Sequence, residues 1–323
     1  MIRIRRTASE TYPAPRWIED PATIKLARVS RERAPGDAVR LPDGRRLGYS
    51  QRGSDVGSPV LDFHGNPGSR LSFWGSEDEI GSRGMRLISV DRPGIGLSDP
   101  HPGRRVADWP ADIAGLADAL GLDGFAVMGH SVGGAYAAAC ACLLPDRVSA
   151  AALVSPIIPL DSPQAFDELG KPGQWALARD RPRALRISIR TLFLLARTAP
   201  NLARRVFGAN STAAEKAISS RPEVMSRALV SARESTRQGA RGLVDDMRVA
   251  IRPWGFDPAL IRPPLAIWQG DRDSSIRASW GEWWADTVPG ARLVRCPGEG
   301  HLLIEERIGE ILDFLVTARV AAR

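Results

Sequence analysis

The residues best suited to chemistry sit in a few short segments. Gly129-His130-Ser131-Val132-Gly133-Gly134 sets a serine between glycines two positions away on either side. An apolar run, Phe125 to Met128, leads into it, and a stretch of small residues from Ala135 to Leu144 leaves it. A serine in that strand–turn–helix context suits a nucleophile elbow. The turn is so sharp that side chains two residues away would collide, and Gly129 and Gly133 remove the offending Cβ atoms. The helix that follows aims free N–H groups and its positive dipole end at the place where negative charge grows during acyl transfer. Chance supplies a bare Gly-x-Ser-x-Gly about 0.2 times in a chain this rich in glycine, so the flanking elements carry most of the weight.

A serine hydroxyl is a weak nucleophile at neutral pH and needs a base, usually a histidine held by a carboxylate. The chain has four histidines. His64 and His130 belong to other motifs and His101 lies in a proline-rich turn, which leaves His301, in Gly298-Glu299-Gly300-His301 between the last apolar run and the final helix. For an acid between the serine and the histidine, the strand Leu265 to Trp268 ends in Gln269-Gly270-Asp271-Arg272-Asp273. Asp273 lies further out, where it could reach the His301 loop, while Asp271 is better placed to stabilise the turn. Asp273 is the favoured acid, with Asp245 and Asp246 as distant alternatives.

An oxyanion formed at Ser131 also needs donors. One is the N–H of Val132, directly after the nucleophile; the second is expected from Asn66 in His64-Gly65-Asn66-Pro67-Gly68, where Gly65 lets backbone approach a substrate closely.

The elements that must hold these groups can be read from apolar periodicity. Ala38–Leu41 and Arg45–Gln51 flank Pro42-Asp43-Gly44 and read as a hairpin. Strands are expected at Val60–Phe63, Arg86–Val90, Phe125–Met128, Ala150–Val154, Leu265–Trp268 and Arg292–Arg295. Helices are expected at about 105–120, 132–144, 276–287 and 304–319. Alternation of this kind predicts a parallel sheet with crossover helices. From about 157 to 255 it stops, and Trp175–Ala178, Leu185–Ala199, Thr212–Ser219 and Val224–Arg233 read as helices. An insertion near the carboxyl edge of a parallel sheet is placed to roof a ligand pocket. The expected organisation is an N-terminal arm at 1–36, a core at 37–156 and 256–323, and a helical cap at 157–255.

Composition narrows the partners. Hydrophobic residues make up 43% and charged residues 25%, as in ordinary globular proteins. The net charge of +7 raises the question of nucleic acid. However, Lys25, Lys171 and Lys216 are the only lysines and the arginines are scattered, which suits a coding bias better than a binding face. The three cysteines make no disulfide framework, and no stretch approaches the length of a membrane span. No metal-ligand cluster or dinucleotide fingerprint is present, so neither metal nor organic cofactor is implied. A soluble cytoplasmic enzyme acting on a small-molecule substrate is the expectation.

In this order, His64-Gly65-Asn66-Pro67-Gly68, Asp91-Arg92-Pro93-Gly94-Ile95-Gly96-Leu97-Ser98-Asp99, the Ser131 elbow, Gly270-Asp271-Arg272-Asp273 and Gly300-His301 resemble the α/β-hydrolase superfamily, over about residues 38–320. The resemblance implies an eight-stranded, mostly parallel sheet with a helical cap. It also implies an esterase, lipase, peptidase, carbon–carbon hydrolase or cofactor-free haloperoxidase. Relatives that form alkyl-enzyme esters use aspartate at the elbow, so Ser131 disfavours epoxide and haloalkane chemistry. The favoured activity is carboxylic ester hydrolysis through an acyl-enzyme; a non-catalytic ligand receptor on the same scaffold is the rival from another class. Phe73, Trp74, Trp175, Phe193 and Trp254 are candidates for pocket lining or for core, and cap arginines such as Arg179, Arg183 and Arg190 for drawing in an acidic substrate.

Overall fold

In the computed structural model, residues 36–321 are described, apart from 73, 162–164, 167, 169–171 and 199–210. The expected N-terminal arm lies outside them. Eight strands form one sheet in the order β1-β2-β4-β3-β5-β6-β7-β8. The opening hairpin is β1 (Asp37–Arg40) and β2 (Arg46–Gly53), and both of its pairings, β1 with β2 and β2 with β4, are antiparallel. The remaining pairings are parallel among β3 (Ser58–Phe63), β4 (Met85–Val90), β5 (Phe125–His130), β6 (Val148–Val154), β7 (Leu265–Gly270) and β8 (Arg292–Cys296).

Every residue of β5 and β7 is buried, which is why these strands read as unbroken apolar runs rather than as alternations. Helices cover both faces. On one side α2 (Trp109–Ala119), α3 (Val132–Leu143) and α9 (Ala278–Thr287) bring Trp109, Ile113, Tyr136, Trp280 and Trp284 against Phe63, Val127 and Ile267. On the other, the short α1 (Glu77–Gly81) and the final α10 (Ile304–Ala321) pack Ile80, Ile308 and Leu312 on Val60, Met128 and Trp268. Along α3, Ala135, Ala137, Ala138, Ala139 and Ala141 are all fully buried, and their small side chains let the helix lie close to the sheet.

Between β6 and β7 the described residues include the helices α4 (Pro172–Asp180), α5 (Pro182–Thr198), α6 (Ala213–Ser219), α7 (Pro222–Ser235) and α8 (Arg241–Ala250). Ala178, Leu185, Val244 and Met247 form a small apolar cluster among α4, α5 and α8. The pattern of apolar residues does not foresee α1 or α8. The first is a single turn closed by a capping box between Ser76 and Glu79. Among the described residues no helix is long and apolar enough to cross a membrane.

Candidate active site

β5 ends at His130, and Ser131 turns the chain into α3 with φ 57° and ψ −121°. A non-glycine residue in that region costs about 1–3 kcal/mol and persists only where its surroundings enforce it. Here Ser131 N–H donates to Val154 O at 2.8 Å, and Ser131 O accepts from Gly134 N–H at 3.0 Å. The flanking glycines are sterically required. A Cβ on Gly129 would lie 2.1 Å from Gly133 O, and one on Gly133 would lie 2.0 Å from Phe63 O. Val132 is the first residue of α3, so its N–H is among those that no intrahelical carbonyl can satisfy.

The loop after β3 lies against this elbow. A Cβ on Gly65 would stand 3.2 Å from His130 Nδ1 and 3.5 Å from Ser131 Cβ, which brings the Gly65–Asn66 backbone beside the serine. Arg92 and Asp246 hold that loop from behind. The Arg92 guanidinium donates to His64 O, to Gly65 O at 3.1 Å, and with two nitrogens to the Asp246 carboxylate at 3.0 and 2.8 Å. Asp246 also accepts from Asn66 Nδ2 at 3.1 Å, Tyr136 Oη at 2.8 Å and Arg104 at 3.2 Å. Burial works to raise the Asp246 carboxyl, but Arg92 and Arg104 outweigh it and hold the group ionised far below the usual range. His64 is pushed down to about 3 by burial and by Arg92 and so stays neutral, with Nδ1 against Gly65 O at 2.8 Å.

The two remaining candidates meet directly. Asp273, in the loop after β7, and His301, in the loop after β8, are joined through Asp273 Oδ2 and His301 Nδ1 at 2.8 Å. Asp273 Oδ1 accepts from Ser275 and Ile276 N–H, both at 2.8 Å. Burial would raise the Asp273 carboxyl, yet His301 and these N–H groups together keep it below its ordinary value. Asp271 does what its position suggests: its carboxylate accepts from Gly298 N–H at 2.7 Å and braces the turn. Asp246 belongs to the Arg92 cluster and Asp245 pairs with Arg241 at 3.2 Å, so neither distant alternative is the partner of Nδ1.

His130 connects the elbow to the histidine loop. Its Nε2 lies 2.9 Å from His301 O and the two rings are 4.7 Å apart, with Trp74 edge-on to His130 on another side. Burial, and after it His301, drives His130 down to about 3, so it remains neutral and donates from Nε2. Glu215, on α6, also reaches this region, accepting from His301 N–H at 3.0 Å. Neither Glu215 nor the Arg92–Asp246 cluster is foreseen from sequence. The capping box between Thr212 and Glu215 marks a helix start, and nothing local says that the same carboxylate spans to another loop. Of the candidate pocket aromatics, Trp254 stacks on Trp284 and Phe256 in the core, Phe73 and the Phe193 side chain lie outside the described residues, and Trp175 packs against the cluster of Ala178, Leu185, Val244 and Met247. Among the described residues no group of three or more His, Cys, Asp or Glu could hold a metal ion.

The sequence model of the α/β-hydrolase fold matches residues 58–308. The chain belongs to the α/β-hydrolase family. Within that family, a non-heme chloroperoxidase of Streptomyces lividans is 38% identical over 124 residues, 38% of this hydrolase-family chain and 45% of the relative. A 2-hydroxy-6-oxo-2,4-heptadienoate hydrolase of Pseudomonas putida is 36% identical over 98 residues, 29% of this chain and 35% of the relative. The alignment thus spans less than half the length of either relative. Among solved structures, a thermophilic esterase from Thermogutta terrifontis has TM-score 0.65 at 24% identity, covering 88% of this chain and 100% of that one. An enol-lactonase from Burkholderia xenovorans has TM-score 0.63 at 20% identity, with 88% and 100% covered. At these identities the likeness to solved structures is one of fold.

Proposed function

We propose that this α/β-hydrolase cleaves an ester or related acyl bond of a small, apolar substrate by way of a Ser131 acyl-enzyme. The observation that carries the reading is the Asp273–His301 pair at 2.8 Å, next to an elbow that holds Ser131 at positive φ. Asp273 fixes the imidazole with Nδ1–H toward the carboxylate, leaving Nε2 to take the Ser131 proton as Oγ attacks the substrate carbonyl. The N–H groups of Val132 and Asn66 receive the developing oxyanion. The imidazolium then protonates the leaving group, and a water deprotonated by His301 releases the acid. Residues 157–255 serve as the cap over this edge of the sheet, and 37–156 with 256–323 as the catalytic core.

A second reading puts the same residues to haloperoxidase-like or carbon–carbon bond cleavage, and is supported by the local identity to the chloroperoxidase and the heptadienoate hydrolase. Fluorophosphonate labelling of wild type and Ser131→Ala, followed by a panel of p-nitrophenyl esters, amides and diketones, tests both. Covalent labelling that disappears in Ser131→Ala, with ester turnover, supports the first; turnover of the diketones alone supports the second. Absence of labelling with tight small-molecule binding would instead indicate a receptor.

A further inference from the structure

Glu215 has a set of partners that its helix does not need. It is the third residue of α6 and its side chain is buried. Oε1 accepts from Ser274 N–H at 2.9 Å and from His301 N–H at 3.0 Å; Oε2 accepts from Ser274 Oγ at 2.7 Å and from Thr212 N–H at 2.8 Å. Only the last of these belongs to the capping box of α6. The other three go to the residue after Asp273 and to the backbone of His301. The histidine loop is shaped around this carboxylate: a Cβ on Gly300 would stand 2.5 Å from Glu215 Cγ. Burial would raise the Glu215 carboxyl, but the Ser274 and His301 N–H groups outweigh it, so the group is ionised. The stems of the two loops are already joined by Arg272 N–H to Glu299 O at 2.9 Å; Glu215 joins the parts that carry Asp273 and His301.

We propose that Glu215 is a positioning residue that holds the Asp273 and His301 loops in register, so that docking of α6 on the core and alignment of the acid–base pair occur together. The proposal rests on the reading of Ser131, Asp273 and His301 as the triad. The hydrogen bonds that hold a catalytic imidazole are themselves fixed by outer partners, and loss of alignment by about 1 Å costs on the order of 10²-fold in rate. A substrate that disturbs α6 would thereby alter the chemistry without touching the triad.

The test compares Glu215→Ala, Glu215→Gln and Thr212→Ala in the full chain, with a short-chain p-nitrophenyl ester and a fluorophosphonate. Glu215→Ala is expected to lower kcat and the labelling rate by about 10²-fold, with KM within about threefold. Glu215→Gln keeps one oxygen for the Ser274 and His301 N–H groups and should restore most of that loss. Thr212→Ala breaks the same capping box, so it should lower Tm without the fall in kcat. The proposal is overturned by a Glu215→Ala enzyme with kcat within about threefold of wild type, or by kcat losses in Glu215→Ala and Thr212→Ala that simply track Tm. If Glu215→Ala does not fold, Ser274→Ala replaces it: losing one hydrogen bond to the carboxylate should cost about fivefold in kcat, and an unchanged kcat overturns the proposal. An active Ser131→Ala enzyme would sink the triad reading itself, whereas an inactive one beside a fully active Glu215→Ala enzyme sinks only the role of Glu215.

Discussion

The Asn66 side-chain amide donates to Asp246 Oδ2 at 3.1 Å, tying the loop after β3 to a helix 180 residues further along the chain. Asp246 is fully buried and ionised, and Arg92, also fully buried, answers it with two nitrogens. The pair therefore braces from behind the backbone that would supply an oxyanion donor.

Removing Asp246 should be costly in a specific way. Asp246→Ala leaves the Arg92 and Arg104 guanidinium groups buried with their carboxylate partner gone, and breaking a buried pair from one side costs about 3–5 kcal/mol. Urea unfolding measures this directly. A loss below about 1 kcal/mol would show that water or a neighbour replaces the carboxylate easily and that the brace matters little.

Ser131 trades stability for position. Glycine tolerates φ 57° freely, so Ser131→Gly should be more stable than wild type by about 0.5–2 kcal/mol while losing fluorophosphonate labelling. Ser131→Ala keeps a Cβ at the same φ and should show the loss of labelling without the gain. Equal unfolding free energies for the two variants would mean that the elbow stores no strain.

Asp273 and Asp271 separate by role. Asp273→Asn keeps the shape but leaves Nδ1 opposite an amide that can present the wrong hydrogen-bonding group, and a drop in kcat of about 10⁴-fold is expected for such a change. Asp271→Asn only weakens the bond to Gly298 N–H, so its effect should appear in Tm rather than kcat. Steady-state ester hydrolysis by the two variants decides the assignment; similar kcat values would refute it.

The parts of this site that were legible from sequence are those with local signatures. The strand before Ser131, the glycines two residues to either side and the small-residue helix after it lie within one short segment, and the buried parallel strands announce themselves as apolar runs. Distance along one loop favours Asp273 over Asp271 as the carboxylate that reaches the His301 loop. Glu215 and Asp246 are not legible, because each is an acidic residue on a helix whose partners are supplied by the tertiary fold. Position along the chain makes Asp246 only a remote rival for the acid; its actual partners, Arg92, Arg104, Tyr136 and Asn66, come from four separate stretches of chain. The short α1 escaped for a different reason: one turn held by a cap has no apolar period to detect.

Asp62 makes a pH prediction independent of the active site. It lies on β3, fully buried, with Ser89 Oγ donating to Oδ2 at 3.0 Å and no hydrogen-bond partner for Oδ1 among the described residues. Burial, only partly opposed by Ser89 and by Arg52 and Arg92, pushes its carboxyl from 3.8 up to about 7. The folded state thus keeps a proton that the unfolded chain releases near pH 4. The stability associated with neutral Asp62 is fully present below the unfolded pKa and is lost as pH rises through the folded value of about 7. Asp62→Asn stays neutral throughout, so its unfolding free energy relative to wild type should rise by about 3–4 kcal/mol between pH 4 and pH 8. Parallel urea titrations of the two proteins at pH 4, 5.5, 7 and 8 measure that difference, and a difference independent of pH would mean that Asp62 ionises in the fold as readily as it does in the unfolded chain.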